Sequence, residues 1–375
     1  MINPRRFLQA CEDGGVHFFT GVPDSLMKNL CNALCALSSN HLIAANEGAA
    51  IGLAAGNYLA TGNTPVVYLQ NSGIGNTVNP LLSLADREVY GIPMLLLVGW
   101  RGQPGTSDEP QHLKQGKVLI PMLDAMEIEW DILPIDETDA LTTLNNALYK
   151  CREKQGPRVI LVQADSFEKS DPLPLTKDTY ELTREAAIKQ VANSLNKDDI
   201  VVSTTGKASR ELYEHRMSSL GVCKDFLTVG SMGHTSQIAL GIAKATPNKL
   251  VYCFDGDGSL IMHLGGLPVI GQSAPKNFRH ILLNNYAHES VGGQPTAARA
   301  INFPSLAKSC GYRNCETADT RELLCQALLR FRDSPGPTLL EICVSIGSRQ
   351  ALGRPETSPT ENKKIFMEHV SHGSA

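Results

Sequence analysis

The stretch LVYCFDGDGS (Leu250–Ser259), followed 20 residues later by HILLNNYAHE (His280–Glu289), decides how this chain is read. Leu250 to Phe254 is an apolar, partly β-branched run, the signature of a buried strand. It ends on Gly-Asp-Gly. Gly256 and Gly258 let backbone approach a ligand closely, and Asp257 offers a hard oxygen to a divalent cation. A second apolar run, His280 to Leu283, ends on Asn284-Asn285, which adds an amide oxygen. Two parallel strands joined by a helix would set Asp257 and Asn285 side by side at their carboxyl ends. A calcium loop of the EF-hand type is excluded, because position 12 counted from Asp255 is Gly266 rather than a carboxylate. A plain glycine turn followed by a capping Asn pair remains the simpler alternative.

A carboxylate, an amide oxygen and one loop carbonyl leave Mg²⁺ about half coordinated, and this ion usually completes its octahedron with phosphate oxygens and water. The missing partner is therefore expected to be a diphosphate. GDG, about 25 residues and then NN, bracketed by strands, resembles the signature of the thiamine diphosphate (ThDP) enzymes. That resemblance implies Asp257, Asn285 and the Ala287 carbonyl as metal ligands, with Gly256, Gly258 and Ser259 lining the diphosphate.

Composition sets outer limits. The 375 residues suffice for two α/β domains, and 42% hydrophobic with 19% charged is ordinary globular usage. A net charge of −4 without a basic block gives no footprint for nucleic acid or an anionic membrane. The N-terminus lacks the apolar core of a signal peptide and no apolar run reaches spanning length, so a cytoplasmic protein is expected. Ten cysteines lack C-x-x-C spacing, and Cys31, Cys35, Cys253 and Cys343 stand in apolar surroundings, as reduced core residues do.

From the N-terminus, a helix over Pro4 to Asp13 precedes the strand HFFTGV (His17–Val22) and the turn Pro23-Asp24-Ser25, where either polar residue can cap a helix bearing Leu26, Leu30, Leu34 and Leu37. After HLIAA, Glu47 stands at a strand-to-helix junction, where it is either a partner of the helix dipole or a carboxylate pointing into a cleft. Gly52 and Gly56 in the following helix suggest close approach of something to that face, or simply close packing. The loop Asn71-Ser72-Gly73 follows another strand, and it is neither a dinucleotide fingerprint, which fails at Val78, nor a P-loop. MLLLVGW leads into RGQPGTSDEPQH, a polar loop carrying Arg101, Asp108, Glu109 and His112 and readable as a substrate lid or a bare surface loop.

Residues 165–180 are polar and proline-rich, which predicts a linker between a first domain at 1–164 and a second at 181–375 with a polar, mobile tail after Gly347. Strands and helices alternate in both halves. The expected fold is α/β, two doubly wound parallel-sheet domains with no middle domain.

The ThDP resemblance extends to Glu47, which it implies as the hydrogen-bond partner of N1′ on the aminopyrimidine, and to Gly230-Ser231-Met232-Gly233. There it implies the Gly230 carbonyl as acceptor for the 4′-amino group and Met232 as the apolar support under the bent cofactor. Gly206, Lys207 and Ala208 match the position that helps bind the diphosphate, with Lys207 where a hydroxyl residue is common, and Asn71 and Ser72 fall on the pyrimidine side. GVPDS, WRGQPG…DEPQH and NNYAHESVGGQPT together resemble the two-domain phosphonopyruvate and sulfopyruvate decarboxylase family. This implies a 2-oxo acid substrate with an anionic tail, met by Asp24, Ser25, Arg101 and His112, and a homodimer or higher homo-oligomer with the cofactor at the subunit interface. A carboligase would share the cofactor residues but usually carries a middle domain. A ferredoxin-coupled oxidoreductase would need cysteine clusters that the sequence lacks. A non-catalytic ThDP-binding protein would not need Glu47.

Overall fold

The computed structural model describes residues 1–37, 40–170 and 179–372. The chain forms two compact units, Met1–Leu175 with Ser290–Gln294, and Thr176–Glu289 with Pro295–Ala375. Of the predicted linker at 165–180, residues 171–178 lie outside the described part. Its first residues fold onto the first unit, where Phe167 packs edge-on against Phe7 at 5.3 Å and pairs with Ile2 in a parallel bridge.

The first unit holds one six-stranded sheet built from β1 (Phe19–Gly21), β2 (His41–Ile43), β3 (Val66–Gln70), β4 (Met94–Gly99), β5 (Trp130–Ile132) and β6 (Pro157–Val162). The order is β2-β1-β3-β4-β6-β5, with every neighbour parallel. A parallel sheet is covered on both faces, which explains the near-continuous apolar runs of its central strands. Alternation sends Val66 and Tyr68 to one face, against Phe7, Leu30, Leu34 and Leu144. Val67 and Leu69 face the other way, against Ile51, Ala54, Leu119 and Leu123.

In the second unit β7 (Ile200–Ser203), β8 (Phe226–Leu227), β9 (Val251–Gly256) and β10 (Phe278–Asn284) join the strands Asn314–Ala318 and Thr338–Cys343. Taken in order of appearance, this sheet repeats the strand order of the first, again all parallel. In each sheet the winding reverses beside the first strand, between β1 and β3 and between β7 and β9, the place where open α/β sheets bind ligands.

Two elements differ from the sequence reading. The polar tail carries a helix, Pro359–His372, with Phe366 and Asn362 buried. Asn362 donates to Asp225 O at 2.9 Å and accepts from Leu227 N at 3.2 Å, so one amide fastens the helix to the two-residue edge strand β8. The loop after β4 is also shorter than its composition suggests, because Pro110 opens a helix running to Ala125 that includes His112. Among the described residues no helix is long and apolar enough to cross a membrane.

Candidate active site

In the first unit the carboxyl ends of the adjacent strands β2, β1, β3 and β4 are followed by Glu47, Asp24, Asn71 and Arg101 respectively. Asn46 caps the helix Glu47–Thr61 by accepting from Ala49 N at 2.9 Å, which sets the start of that helix. Glu47 is buried at 6% exposure, and Asn76 donates its amide to Glu47 Oε2 at 2.7 Å. Gly73 walls the other oxygen so closely that a Cβ there would collide with Oε1. Neither Asn76 nor Gly73 stood out in the sequence as a partner of Glu47.

Asp24 is fully buried. Its Oδ2 accepts from Leu26 N at 3.0 Å and Met27 N at 3.3 Å, the capping role, while Oδ1 has no hydrogen-bond partner. Burial pushes its pKa up to about 6, opposed by those N–H groups and by Arg101. Capping and a reactive carboxyl are therefore compatible, each using a different oxygen.

Arg101 is a clasp. Its Nε donates to Asp108 Oδ2 at 2.8 Å, Nη2 donates to Asp108 Oδ1, and Nη1 donates to Ser25 Oγ at 2.7 Å. Asp108 also takes the Gly102 N–H at 2.7 Å and faces His112 Nδ1 at 2.9 Å. The guanidinium holds the Asp108 carboxyl well below the usual carboxylate range. Three of the five guanidinium donors are thus engaged, leaving two for a ligand. An ionised carboxylate can only accept, so His112 carries its proton on Nδ1 and keeps Nε2 open. Asn71 spends its amide on the neighbouring loop, donating to Arg101 O at 2.8 Å and accepting from Arg101 N at 3.2 Å. Ser72 is exposed and accepts from Gln70.

The second unit repeats the placement. Asp257 and Ser259 follow β9, Asn285 and Ala287 follow β10, Gly206 to Ala208 follow β7, and Gly230 to Met232 follow β8. Ser259 Oγ accepts from Gly233 N at 3.1 Å and from Thr204 Oγ1 at 3.2 Å, which ties the loops of β7, β8 and β9 together. Asp257 is 3% exposed and accepts from the Thr296 hydroxyl at 2.6 Å. Burial raises its pKa to about 6 against the opposing pull of Thr296 and nearby backbone N–H groups. The Asn pair divides its duties. Asn284 is structural, donating to Glu341 Oε1 at 2.8 Å, and Asn285 Oδ1 accepts from Ala287 N at 3.2 Å across Tyr286, whose φ of 59° is the left-handed bend of this turn.

The donor set is all oxygen: a carboxylate, an amide and a peptide carbonyl on neighbouring strand ends, which fits Mg²⁺. The surroundings fit a bent diphosphate cofactor as well. Gly206, at φ +90°, has open space where a Cβ would stand, and a Cβ on Gly258 would come within 3.5 Å of Met232 Cε and 3.2 Å of His288 Nδ1. Lys207 is less available than its position suggests, since its ammonium donates to Glu289 Oε1 at 2.9 Å. Thr296 and Glu289 belong to the site's surroundings without having been singled out for it in the sequence.

Comparison with known proteins matches residues 5–128 to the thiamine pyrophosphate enzyme N-terminal TPP binding domain and residues 204–342 to the C-terminal TPP binding domain. Phosphonopyruvate decarboxylase of Streptomyces viridochromogenes is 35% identical, over 95% of this chain and 92% of its own length. That of Streptomyces hygroscopicus is 34% identical, over 99% and 94%. Sulfopyruvate decarboxylase of Methanosarcina acetivorans is 31% identical, over 98% of both chains. With both domains matched and full-length likeness to decarboxylases, the chain belongs to the thiamine pyrophosphate enzymes and is one of their decarboxylases.

Proposed function

We propose that this enzyme converts 3-phosphonopyruvate to phosphonoacetaldehyde and CO₂, using thiamine diphosphate and Mg²⁺. The observation carrying the substrate is the likeness to two phosphonopyruvate decarboxylases over nearly the whole chain. When bound, the cofactor supplies an electron sink for the pair left behind by CO₂, a task outside side-chain chemistry. Glu47, held by Asn76 and shielded from bulk water, exchanges a proton with N1′ of the aminopyrimidine. The Gly230 carbonyl accepts from the 4′-amino group and Met232 supports the bend. Asp257, Asn285 and the Ala287 carbonyl hold the metal that neutralises the diphosphate, which Gly206, Ala208, Gly256, Gly258 and Ser259 approach through backbone and hydroxyl groups. Ser25, His112 Nε2 and the two uncommitted N–H groups of Arg101 bind the anionic substrate, and Asp24 Oδ1 holds a proton near the reacting carbon.

The functional unit is a cytoplasmic homodimer or higher homo-oligomer in which the Glu47 loops of one chain complete the Asp257 loops of its partner. The helix Glu47–Thr61 supports this reading: nothing lies within 4 Å of a Cβ placed on Gly52 or Gly56, and Leu53 and Leu59 are exposed by 39% and 68%. Sulfopyruvate is the second candidate substrate, favoured by the full-length likeness to the Methanosarcina enzyme.

Aldehyde release from 3-phosphonopyruvate, sulfopyruvate, pyruvate and benzoylformate tests the assignment. The highest kcat/KM is expected with 3-phosphonopyruvate, and Arg101→Ala is expected to lose efficiency mainly with the two anionic-tailed acids. A preference for pyruvate or benzoylformate removes the phosphonate assignment.

A further inference from the structure

A carboxamide can face a cation in two ways, and only one presents oxygen. Asn285 donates its Nδ2 to Glu289 Oε2 at 2.9 Å. Ionised Glu289 accepts and cannot donate, so the amide nitrogen is fixed on the Glu289 side and the oxygen on the side of Ala287. Glu289 is itself held in place. Arg184 Nη1 donates to its Oε2 at 2.6 Å and Lys207 Nζ to its Oε1 at 2.9 Å. Arg184 also forks onto Glu211 through Nε and Nη2, both at 2.8 Å. The side chains of Arg184 and Glu289 are each 9% exposed and that of Glu211 is fully buried. Two cations and two carboxylates balance, which keeps so buried a network from carrying an uncompensated charge.

We propose that Glu289 is a positioning residue for the metal: anchored by Arg184 and Lys207, it orients the Asn285 carboxamide so that oxygen, not nitrogen, is offered to the cation. The role rests on the magnesium reading given above. It also assigns Lys207, which this pairing holds on Glu289, to the support of the metal loop. Partners that orient metal ligands typically govern affinity by about 10–100-fold.

Isothermal titration of Mg²⁺ into metal-free protein mixed with excess ThDP tests the proposal by binding rather than turnover. Glu289→Gln cannot accept from Asn285, Arg184 and Lys207 together, and should raise the Mg²⁺ Kd by about tenfold or more. Asn285→Asp should weaken Mg²⁺ as strongly, although it adds a charged ligand, because the new carboxylate would confront Glu289. Combining the two lets the glutamine amide donate to that carboxylate, and the double variant should return to within about threefold of wild type. Glu289→Asp keeps the charge for Arg184 and Lys207 while drawing it back from Asn285, so it should also lose affinity if Glu289→Gln fails to fold. Wild-type Mg²⁺ affinity in Glu289→Gln or Glu289→Asp overturns the proposal, and so does a double variant in which the two losses simply add. Equal ThDP uptake by wild type with and without chelator removes the magnesium reading itself, and the role of Glu289 with it.

Discussion

Asp24 is a buried carboxyl group that makes the stability of the fold depend on pH. Its pKa, raised from 3.8 to about 6 by burial, means that the fold prefers the neutral acid. That contribution is complete below the unfolded value and is lost as pH rises through about 6. Asp24→Asn should therefore melt close to wild type at pH 4 and above it by roughly 2–6 °C at pH 8, for a relieved cost on the order of 1–3 kcal/mol. A gain of equal size at both pH values would contradict a charge penalty. The same substitution should depress turnover, the usual exchange between stability and function. Glu47→Gln should keep its ThDP yet lose at least about 10²-fold in kcat, with C2–H exchange of the bound cofactor in deuterated water slowed in parallel; wild-type exchange would take Glu47 out of the proton path. The position of Glu47 at a strand-to-helix junction was legible because the run HLIAA ends just before it, while the choice between a helix-dipole partner and a carboxylate in a cleft was not. Its partners were not legible either. Asn76 reaches it from 29 positions away, and a single amide-to-carboxylate bond leaves no pattern in spacing.

At the level of elements, the helix Pro110–Ala125 lies backbone to backbone against the loop after β4. A Cβ on Gly116 would collide with the carbonyls of Gly102 and Arg101, and Trp100 Nε1 donates to Gly116 O at 3.0 Å. Gly116→Ala should force the helix outward at a cost of about 1–3 kcal/mol and loosen the Arg101–Asp108–His112 cluster. A lower Tm together with red-shifted emission from the otherwise buried Trp100 is the expected signature, and unchanged values of both would show that the loop has room to adjust. The helix Pro359–His372 depends on one residue in a similar way. Asn362→Ala leaves Leu227 N and Asp225 O without their partner and should cost about 1–3 kcal/mol, read as a lower Tm. The sequence showed the central strands plainly, since VVYLQ, MLLLVG and VYCF are apolar on both faces. Edge elements were harder to read: β1 spans three residues where six were expected, and β8 only two, because pairing with neighbours, not composition, ends a strand. The terminal helix was missed because its buried positions include the polar Asn362, in a segment of little apolar periodicity.

Across the whole molecule, two sheets of identical strand order each have a buried carboxyl group beyond their carboxyl ends, Glu47 on one and Asp257 on the other. The doubly wound pattern was readable in both halves because strands and helices alternate throughout. What the sequence left open was the use of Gly52 and Gly56, which in the structure face open space along the helix that Glu47 begins. If a second chain covers that face, two defects on different halves need not add. Glu47→Gln and Asp257→Ala, each inactive alone, would form a mixed pair in which one site inherits both lesions and the other inherits neither. Random exchange makes half of the pairs mixed, so blending the two inactive proteins should restore roughly a quarter of wild-type activity. No recovery after verified subunit exchange would place both halves of each site on the same chain, and the open glycine face would then serve something other than catalysis.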